Sequence, residues 1–308
     1  YDRNFAAGTI ASSAELGVII PPSIGLIQYG VAAEQSIGDL FKAGFLPGLF
    51  ICGTIMAMAH HLAKKQGFVP VEKASWAERG KAFKDAILAI LMPVIILGGI
   101  YSGFFTPTEA AVVSVFYGLV VGVFVYREIK LKDLKKIFYE SVLTMATVLL
   151  IMSASTIFGW ILAKQQIPQA LAKAFLGISD SKYVFLLLIN VMLLVVGMVC
   201  EAGAAMVILA PLLAPIAQTL GIDLIHFGII MMTNLAIGMM TPPVGVNLFV
   251  AISIKIKKGL EVTLQQISKA VMPMIAASVA VLLVITYIPA ASSSAPKPNG
   301  PASGSSRI

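Results

Sequence analysis

Charged residues are scarce in this chain. Asp, Glu, Lys and Arg together make up only 12% of its 308 residues, whereas hydrophobic residues make up 58%. The mean hydropathy is +0.92. Soluble globular domains carry about 25% charged residues, so this composition excludes that class. The sequence therefore predicts a protein that crosses a membrane several times.

Cysteines and catalytic motifs are also rare or absent. The two cysteines, Cys52 and Cys200, lie in apolar runs and provide neither a disulfide framework nor the spacing of metal ligands. The sequence contains no P-loop, no HExxH, no GxSxG and no His/Cys cluster. We therefore expect neither an enzyme nor an ATP-driven pump.

Long apolar runs recur along the chain. A helix needs about 17 to 25 mostly apolar residues to cross the hydrocarbon core of a bilayer, and the alternating ten-residue strands of a membrane barrel are not seen. The predicted fold is therefore all-α and polytopic. The candidate membrane segments are 8–30, 40–62, 86–104, 109–126, 138–163, 183–200, 204–220, 227–254 and 270–289.

The net charge of +7 reflects membrane topology and does not indicate a nucleic-acid partner. Lys and Arg concentrate in three loops, with six in 63–85, five in 127–136 and four in 255–269. Loops rich in Lys and Arg remain in the cytoplasm. Because each membrane crossing changes sides, the order of the segments can be checked against this rule, and it places all three loops in the cytoplasm. Segment 8–30 then runs outward and segment 227–254 runs inward. The hairpin between them returns to its starting side, and its tip needs cover by protein or water.

Three further stretches lie outside these segments. Residues 74–85 and 164–179 are amphipathic, and we expect them to lie along the bilayer surface or to pack against a partner. Residues 290–308 are rich in Ser, Pro, Gly and Ala. That composition resembles a flexible linker and contributes nothing to a core.

Two membrane segments contain the same Gly-x-x-x-Pro-Pro pattern. The stretches GVIIPPSIG (17–25) and GMMTPPVG (238–245) align at an offset of 221 residues. The small polar residues that precede them are Ser12, Ser13, Thr233 and Asn234. A harmless proline kink is one interpretation. Because the two segments have opposite predicted orientations, an inverted repeat is favoured.

Paired prolines should unwind each of these helices. The second proline lacks an N–H group and clashes with the preceding turn, while the first is pushed towards extended geometry. Unwinding frees carbonyl oxygens that can coordinate Na⁺, and the next half-helix presents an N-terminus that favours anions. Asn247, one turn after the second break, either contacts substrate or caps the backbone.

Three acidic residues each have two interpretations. Thr106, Pro107 and Glu109 have the spacing of a capping box that starts a helix; for Glu109 the alternative is a role in binding. Glu15 and Glu201 lie in apolar surroundings, where ionisable residues are often functional. For both, the alternative is a watery vestibule beside a break.

Several stretches resemble the large membrane (M) subunit of tripartite ATP-independent periplasmic (TRAP) transporters. They are Phe5–Thr9 leading into GVIIPPSI, Phe104–Ala111, Gln166–Pro168, Ile208–Pro215 and His226–Phe249. The resemblance covers residues 1–289, as the C-terminal two thirds of such a subunit. Residues 11–41, which begin ASSAELGVIIPPSIG, look most like sialic-acid members.

The resemblance implies a Na⁺-coupled symporter of the bacterial inner membrane with an elevator mechanism. Its implied partners are a small membrane (Q) subunit, membrane lipid and a periplasmic binding protein that delivers an organic acid, with sialic acid the best guess. Residues 1–30 and 183–254 should belong to the transport domain, 31–182 mainly to the scaffold, and 255–289 to a C-terminal membrane helix. A Na⁺-independent anion exchanger and a passive channel are the alternatives.

The resemblance also implies particular site residues. The first Na⁺ site should involve Ser12, Ser13, Gly17, Ile20 and Pro21, and the second Cys200, Gly203, Gly238, Thr241 and Pro242. Substrate contacts are expected from Ser23, Glu201, Asn234 and Asn247. The hairpin that should complete the first site is absent from this sequence, and many relatives have Asp or Thr at the tip where this chain has Cys-Glu-Ala. At the second break we expect Thr241→Val, or a bulky residue at 238, to weaken Na⁺ dependence more than folding.

Overall fold

The computed structural model describes residues 3–67, 73–166, 170, 181–253 and 263–289. Regular structure in these residues is helical throughout. The helices are α1 (Arg3–Ser13), α2 (Leu16–Ile19), α3 (Ile24–Ala32), α4 (Ile37–Lys65), α5 (Trp76–Tyr101), α6 (Pro107–Val120, extended by a π-helical turn Val121–Val125), α7 (Leu131–Lys164), α8 (Lys182–Val199), α9 (Ala202–Thr219), α10 (Leu224–Gly238), α11 (Val246–Ser253) and α12 (Leu264–Tyr287). Among the described residues, seven segments are long and apolar enough to span a membrane. The all-α polytopic class is confirmed.

Each predicted membrane segment corresponds to one or more of these helices; most ends shift by up to seven residues, and α5 begins ten residues before the predicted segment 86–104. Residues 74–85 differ in kind, because 76–85 form the first turns of α5 and not a separate surface segment. Ser75 and Glu78 form a capping box that starts the helix there, with Ser75 N donating to Glu78 Oε2 over 2.7 Å. Most of 164–179 and all of 290–308 lie outside the described residues.

Single prolines and paired prolines have different effects on these helices. Single prolines lie within continuous helices, for example Pro47 in α4 and Pro273 in α12. At Pro21–Pro22 and at Pro242–Pro243 the helix instead ends and a new one begins. The paired pattern, and not proline itself, therefore marks the breaks, as the sequence predicted.

The core is built around α10. Every residue from His226 to Gly238 is buried. The first hairpin arm, α8, packs along α10, while the second arm, α9, packs against α3, α7 and α10. The two arms contact each other little. The hairpin therefore packs against both broken helices.

Helices α5 and α6 have a different environment. Only Ile100 is buried on α5 and only Ala110 on α6, while large apolar side chains such as Val94 and Phe116 are exposed. The broken helices and the hairpin thus form a packed body, and α5 and α6 present an apolar surface beside it.

Candidate functional site

The first broken helix consists of α1, α2 and α3. After α1 the chain makes a turn at Ala14 and Glu15, forms the single turn α2, and unwinds from Ile20 to Pro22 before α3 begins. Ile20 has extended geometry, with φ −76° and ψ 127°. This agrees with the conformation that a following proline imposes.

The prolines of the first break remove two backbone donors. Pro21 and Pro22 lie four residues after Gly17 and Val18, whose carbonyls would otherwise accept helical hydrogen bonds. The Ser23 hydroxyl donates to the Val18 carbonyl in their place. The Gly17 carbonyl accepts no hydrogen bond from the described residues. One main-chain oxygen is therefore available at the predicted first Na⁺ site.

Ser23 has a second role at this break. It is the N-cap of α3, and its hydroxyl oxygen accepts a hydrogen bond from Leu26 N over 3.3 Å. Its side chain is almost fully buried, with 1% exposed. Its predicted contact with substrate remains a prediction, because both bonds of the hydroxyl serve the break itself.

The two serines before the first break lie in different environments. Ser12 is fully buried and donates to the Gly8 carbonyl over 2.9 Å. Ser13 is exposed and donates to the Ile10 carbonyl over 3.0 Å. A hydroxyl that donates its hydrogen keeps lone pairs for a cation. The proposed ligand role of both serines is therefore compatible with these bonds.

The second break separates α10 from α11. Pro242 and Pro243 lie four residues after Gly238 and Met239, but here both carbonyls accept other backbone donors. Thr241 N donates to Gly238 O over 2.8 Å, and Asn247 N donates to Met239 O over 2.9 Å. The second break is therefore closed by main-chain hydrogen bonds.

Thr241 supplies two oxygens at the second break. Its hydroxyl donates to the Ile237 carbonyl over 2.7 Å. The carbonyls of Met240 and Thr241 accept no hydrogen bond from the described residues. Two main-chain oxygens and one hydroxyl thus lie together in the sequence region predicted for the second Na⁺ site.

The hairpin tip is organised by Glu201. Its Oε1 accepts from Gly203 N over 2.9 Å and its Oε2 accepts from Ala204 N over 2.8 Å, so the carboxylate caps α9. Cys200 before it is extended and exposed. The structure thus gives Glu201 a capping role, and its predicted contact with substrate remains a prediction.

The tip contacts the first broken helix through Gly203. A Cβ atom added at Gly203 would lie 2.6 Å from Gln28 Oε1 on α3 and 3.0 Å from Glu201 Oε2. Gln28 is 7% exposed. A larger residue at 203 would require the side chain of Gln28 or Glu201 to move, so the tip lies directly on α3, downstream of the first break.

The first arm of the hairpin contacts the second break through two glycines. A Cβ atom added at Gly238 would lie 2.6 Å from Gly197 Cα, and Gly245 N donates to Met198 O over 2.9 Å. Main chain packs on main chain at this point. A bulky residue at 238 would push the two helices apart, so we expect it to impair folding as well as Na⁺ dependence.

Buried polar atoms without a partner concentrate on the two broken helices. Within the described part of the chain, five such side-chain atoms have no hydrogen-bond partner: Glu15 Oε2, Gln28 Oε1, Thr233 Oγ1, Asn234 Oδ1 and Asn247 Nδ2. All five lie on α1–α3 or on α10–α11. Because buried polar groups are almost always paired, these unpaired atoms make the two broken helices the candidate location for a ligand.

Asn190 is a polar residue of this region that the sequence analysis missed. Asn234 Nδ2 donates to Asn190 Oδ1 over 2.7 Å, and Asn190 Nδ2 donates to Thr286 Oγ1 over 3.1 Å. These bonds join α10, α8 and α12. A lone Asn within the apolar run 183–199 could have indicated this residue from the sequence, because polar residues inside membrane segments are often functional. Gln28, in the apolar part of α3, could have been recognised in the same way.

Two interpretations of acidic residues are now decided. Thr106 N donates to Glu109 Oε2 over 2.7 Å and Glu109 N donates to Thr106 Oγ1 over 3.3 Å, which confirms the capping box. Glu15 is fully buried, and its Oε1 accepts a hydrogen bond from Ser278 Oγ over 2.8 Å. The watery vestibule is therefore wrong for Glu15.

Comparisons with known proteins point to one transporter family. The family described as tripartite ATP-independent periplasmic transporter, DctM component, matches residues 1–291. The chain is 45% identical to an isethionate TRAP transporter permease protein DctMQ of Oleidesulfovibrio alaskensis, covering 94% of this chain and 45% of that protein. It is 43% identical to the sialic acid TRAP transporter large permease protein SiaM of Vibrio cholerae, covering 94% and 66%.

A third relative widens the range of named substrates. The chain is 37% identical to the C4-dicarboxylate TRAP transporter large permease protein DctM of Rhodobacter capsulatus, covering 96% of this chain and 69% of that protein. The chain thus spans only 45% to 69% of the length of these relatives. It belongs to the DctM component family of tripartite ATP-independent periplasmic transporters, which are multi-pass permease proteins of the bacterial inner membrane.

Proposed function

We propose that this chain forms the part of a TRAP permease that holds Na⁺ and an organic acid and carries them into the cell. The observation that carries the proposal is the set of five unpaired buried polar atoms, all on the two broken helices. A structural core would pair such atoms. A site that accepts and releases a ligand leaves them for that ligand.

Na⁺ is the coupling ion that fits the available donors. The first break offers the Gly17 carbonyl and the buried Ser12 hydroxyl, and the second offers the Thr241 carbonyl and hydroxyl. These are uncharged oxygens at half-helix ends, the kind of ligand that broken-helix transporters use for Na⁺. No cluster of three His, Cys, Asp or Glu occurs in the described residues. The sites therefore suit a hard monovalent cation, and we place one Na⁺ at each break.

An organic acid is the substrate class that fits the rest of the site. Each break is followed by the N-terminus of a half-helix, α3 or α11, and such ends favour carboxylates. Asn234 and Asn247 add buried amide atoms on either side of the second break. The relatives are named for sialic acid, C4-dicarboxylates and isethionate, which are all acids. Within this class we favour sialic acid, because the sequence of residues 11–41 looks most like that of sialic-acid members.

An elevator movement is supported by the division of the fold. The broken helices and hairpin form a packed body around α10, whereas α5 and α6 each contain a single buried residue. We propose that the packed body moves against a scaffold to which α5 and α6 belong. Their apolar surface suits lipid and a small membrane subunit, and a periplasmic binding protein would deliver the substrate.

Uptake into proteoliposomes tests this proposal. The complete permease with its small subunit would be reconstituted, and labelled sialic acid, a C4-dicarboxylate or isethionate would be supplied on the cognate binding protein. We expect accumulation that requires an inward Na⁺ gradient and the binding protein. Exchange that is indifferent to Na⁺ would indicate an anion exchanger. Currents in planar bilayers without the binding protein would indicate a channel.

A further inference from the structure

Basic residues from two separate loops meet at one end of α5, α6 and α7. Tyr126 Oη donates to Asp85 O over 2.8 Å, and Tyr117 Oη donates to Leu88 O over 2.7 Å. These bonds hold the turn after α6 beside the first turns of α5. The Lys and Arg residues of these turns and of the start of α7 form what we call the basic rim. They are Arg79, Lys81, Lys84, Arg127, Lys130, Lys132, Lys135 and Lys136.

The basic rim carries more positive charge than its own acidic residues compensate. Residues 76–85 and 127–140 contain eight Lys and Arg but only five Asp and Glu. All eight basic side chains are exposed. Within the described part of the chain, the only one that forms an ion pair is Lys136, with Glu140 over 3.8 Å. The rim therefore presents uncompensated cations to its surroundings.

The turn that carries half of the rim is held in a fixed conformation. Glu128 N and Ile129 N both donate to the Gly122 carbonyl, over 3.1 Å and 3.2 Å, so the chain folds back on the π-helical turn. Arg127 has a φ of 56°, in the left-handed region that residues other than glycine seldom adopt. Arg127 and Lys130 are thus positioned beside α5 by backbone contacts and do not lie on a free loop.

The rim lies where the apolar surface of α5 and α6 ends. Between Lys84 and Arg127 the sequence has no Lys or Arg, so the cations are confined to one end of this helix pair. Exposed aromatic side chains accompany them: Trp76, Phe83, Tyr126, Phe138 and Tyr139. The Arg79 guanidinium lies 5.0 Å from the centre of the Trp76 ring. Aromatic rings of this kind mark the headgroup level of a membrane.

We propose that the basic rim binds the headgroups of anionic phospholipids in the cytoplasmic leaflet. Clustered Lys and Arg at the cytoplasmic ends of membrane helices attract such lipids, and both cations form strong hydrogen bonds to phosphate. The acyl chains would follow the exposed apolar side chains of α5 and α6, such as Val94 and Phe116. A soluble acidic partner would match the cations but not this adjoining surface. The inference goes beyond the proposed transport function and does not depend on it.

The test titrates phosphatidylglycerol into the complete permease, purified with its small subunit in mild detergent, and counts bound lipids by native mass spectrometry. We expect the wild type to bind phosphatidylglycerol at least about tenfold more tightly than phosphatidylcholine, and less tightly at high salt. The double variant Lys84→Gln/Arg127→Gln removes one cation from each side of the Tyr126 contact. It should weaken phosphatidylglycerol binding by roughly tenfold and leave phosphatidylcholine binding unchanged.

The matched control is Lys64→Gln/Lys65→Gln, which removes two exposed cations from the end of α4, in another loop with a predicted cytoplasmic location. It should bind phosphatidylglycerol like the wild type. Equal losses in both variants, or no loss in Lys84→Gln/Arg127→Gln, would overturn the proposal. Displacement of the lipid by inorganic phosphate or polyglutamate at similar concentrations would also overturn it, because the rim would then be a general anion surface.

A second variant protects the test against a folding defect. If Lys84→Gln/Arg127→Gln does not fold, Lys132→Gln/Lys135→Gln provides the same measurement from the start of α7, where both side chains are exposed. We expect the same loss of phosphatidylglycerol binding, and unchanged binding would contradict the lipid site.

Discussion

The two breaks have the same sequence pattern but are built differently. At the first break a side chain, Ser23, replaces one lost helical bond and the Gly17 carbonyl receives none. At the second break the backbone N–H groups of Thr241 and Asn247 replace both lost bonds. The pattern thus specifies where the helix unwinds, while the residues around it specify how the ends are stabilised.

The glycines that begin the two patterns differ even more. A Cβ atom at Gly17 would have no neighbour within 4 Å, whereas one at Gly238 would meet the main chain of Gly197. The hairpin explains this difference, because its first arm packs along α10 and not along the first broken helix. Equivalent positions in a repeat therefore have unequal packing roles.

The largest expected effect comes from this pair of glycines. Gly238→Ala should destabilise the protein by about 3 kcal/mol, because the methyl group collides with backbone that cannot rotate away. Gly17→Ala should change stability by less than about 0.5 kcal/mol, since its site is open. Thermal unfolding in detergent measures both. Similar melting temperatures for the two variants would contradict the packing that distinguishes the breaks.

A second contrast concerns the polar residues one turn or more before each glycine. Asn234 is buried and bonded to Asn190, whereas its counterpart Ser13 is exposed and bonds only to Ile10 O. Asn234→Ala should cost about 2 kcal/mol, because Asn190 loses a buried partner. Ser13→Ala should have little effect on melting. A double variant with Asn190→Leu should recover part of the loss if the pairing is responsible.

These contrasts also show what the sequence could and could not predict. The breaks and the capping box at Thr106 and Glu109 are local, so proline chemistry and residue spacing predicted them. The capping by Glu201 depends on where α9 starts, which the apolar pattern did not reveal. The contact of Gly197 with Gly238 depends on how separate helices pack, and the bond from Ser278 to Glu15 joins residues 263 positions apart. Neither leaves a signal within a short window.

Ser23 gives a third test of the comparison. Ser23→Ala removes the cap of α3 and the bond to Val18 O, so we expect a loss of about 1 to 2 kcal/mol. Val244 occupies the equivalent position at the second break, where backbone bonds already close the chain. Val244→Ala should therefore be nearly neutral in the same unfolding assay. A larger loss for the Val244 variant would show that the first break is not held by its serine.

The most specific effect on function, with only a small effect on stability, is expected from Thr241→Val. Thr241 keeps its backbone bond to Gly238 O in this variant and loses only the hydroxyl bond to Ile237 O. Valine matches the shape of threonine, so folding should change by less than about 1 kcal/mol. The variant removes a proposed Na⁺ ligand, however, and the Na⁺ concentration for half-maximal uptake should rise several-fold.

The first break offers the matched control, because its counterpart Ile20 has no hydroxyl and packs against Gly48 of α4. Ile20 is expected at the first Na⁺ site, but Ile20→Val retains the main-chain carbonyl and should therefore leave the Na⁺ titration unchanged. A similar shift in both variants would mean that packing and not the hydroxyl determines Na⁺ affinity.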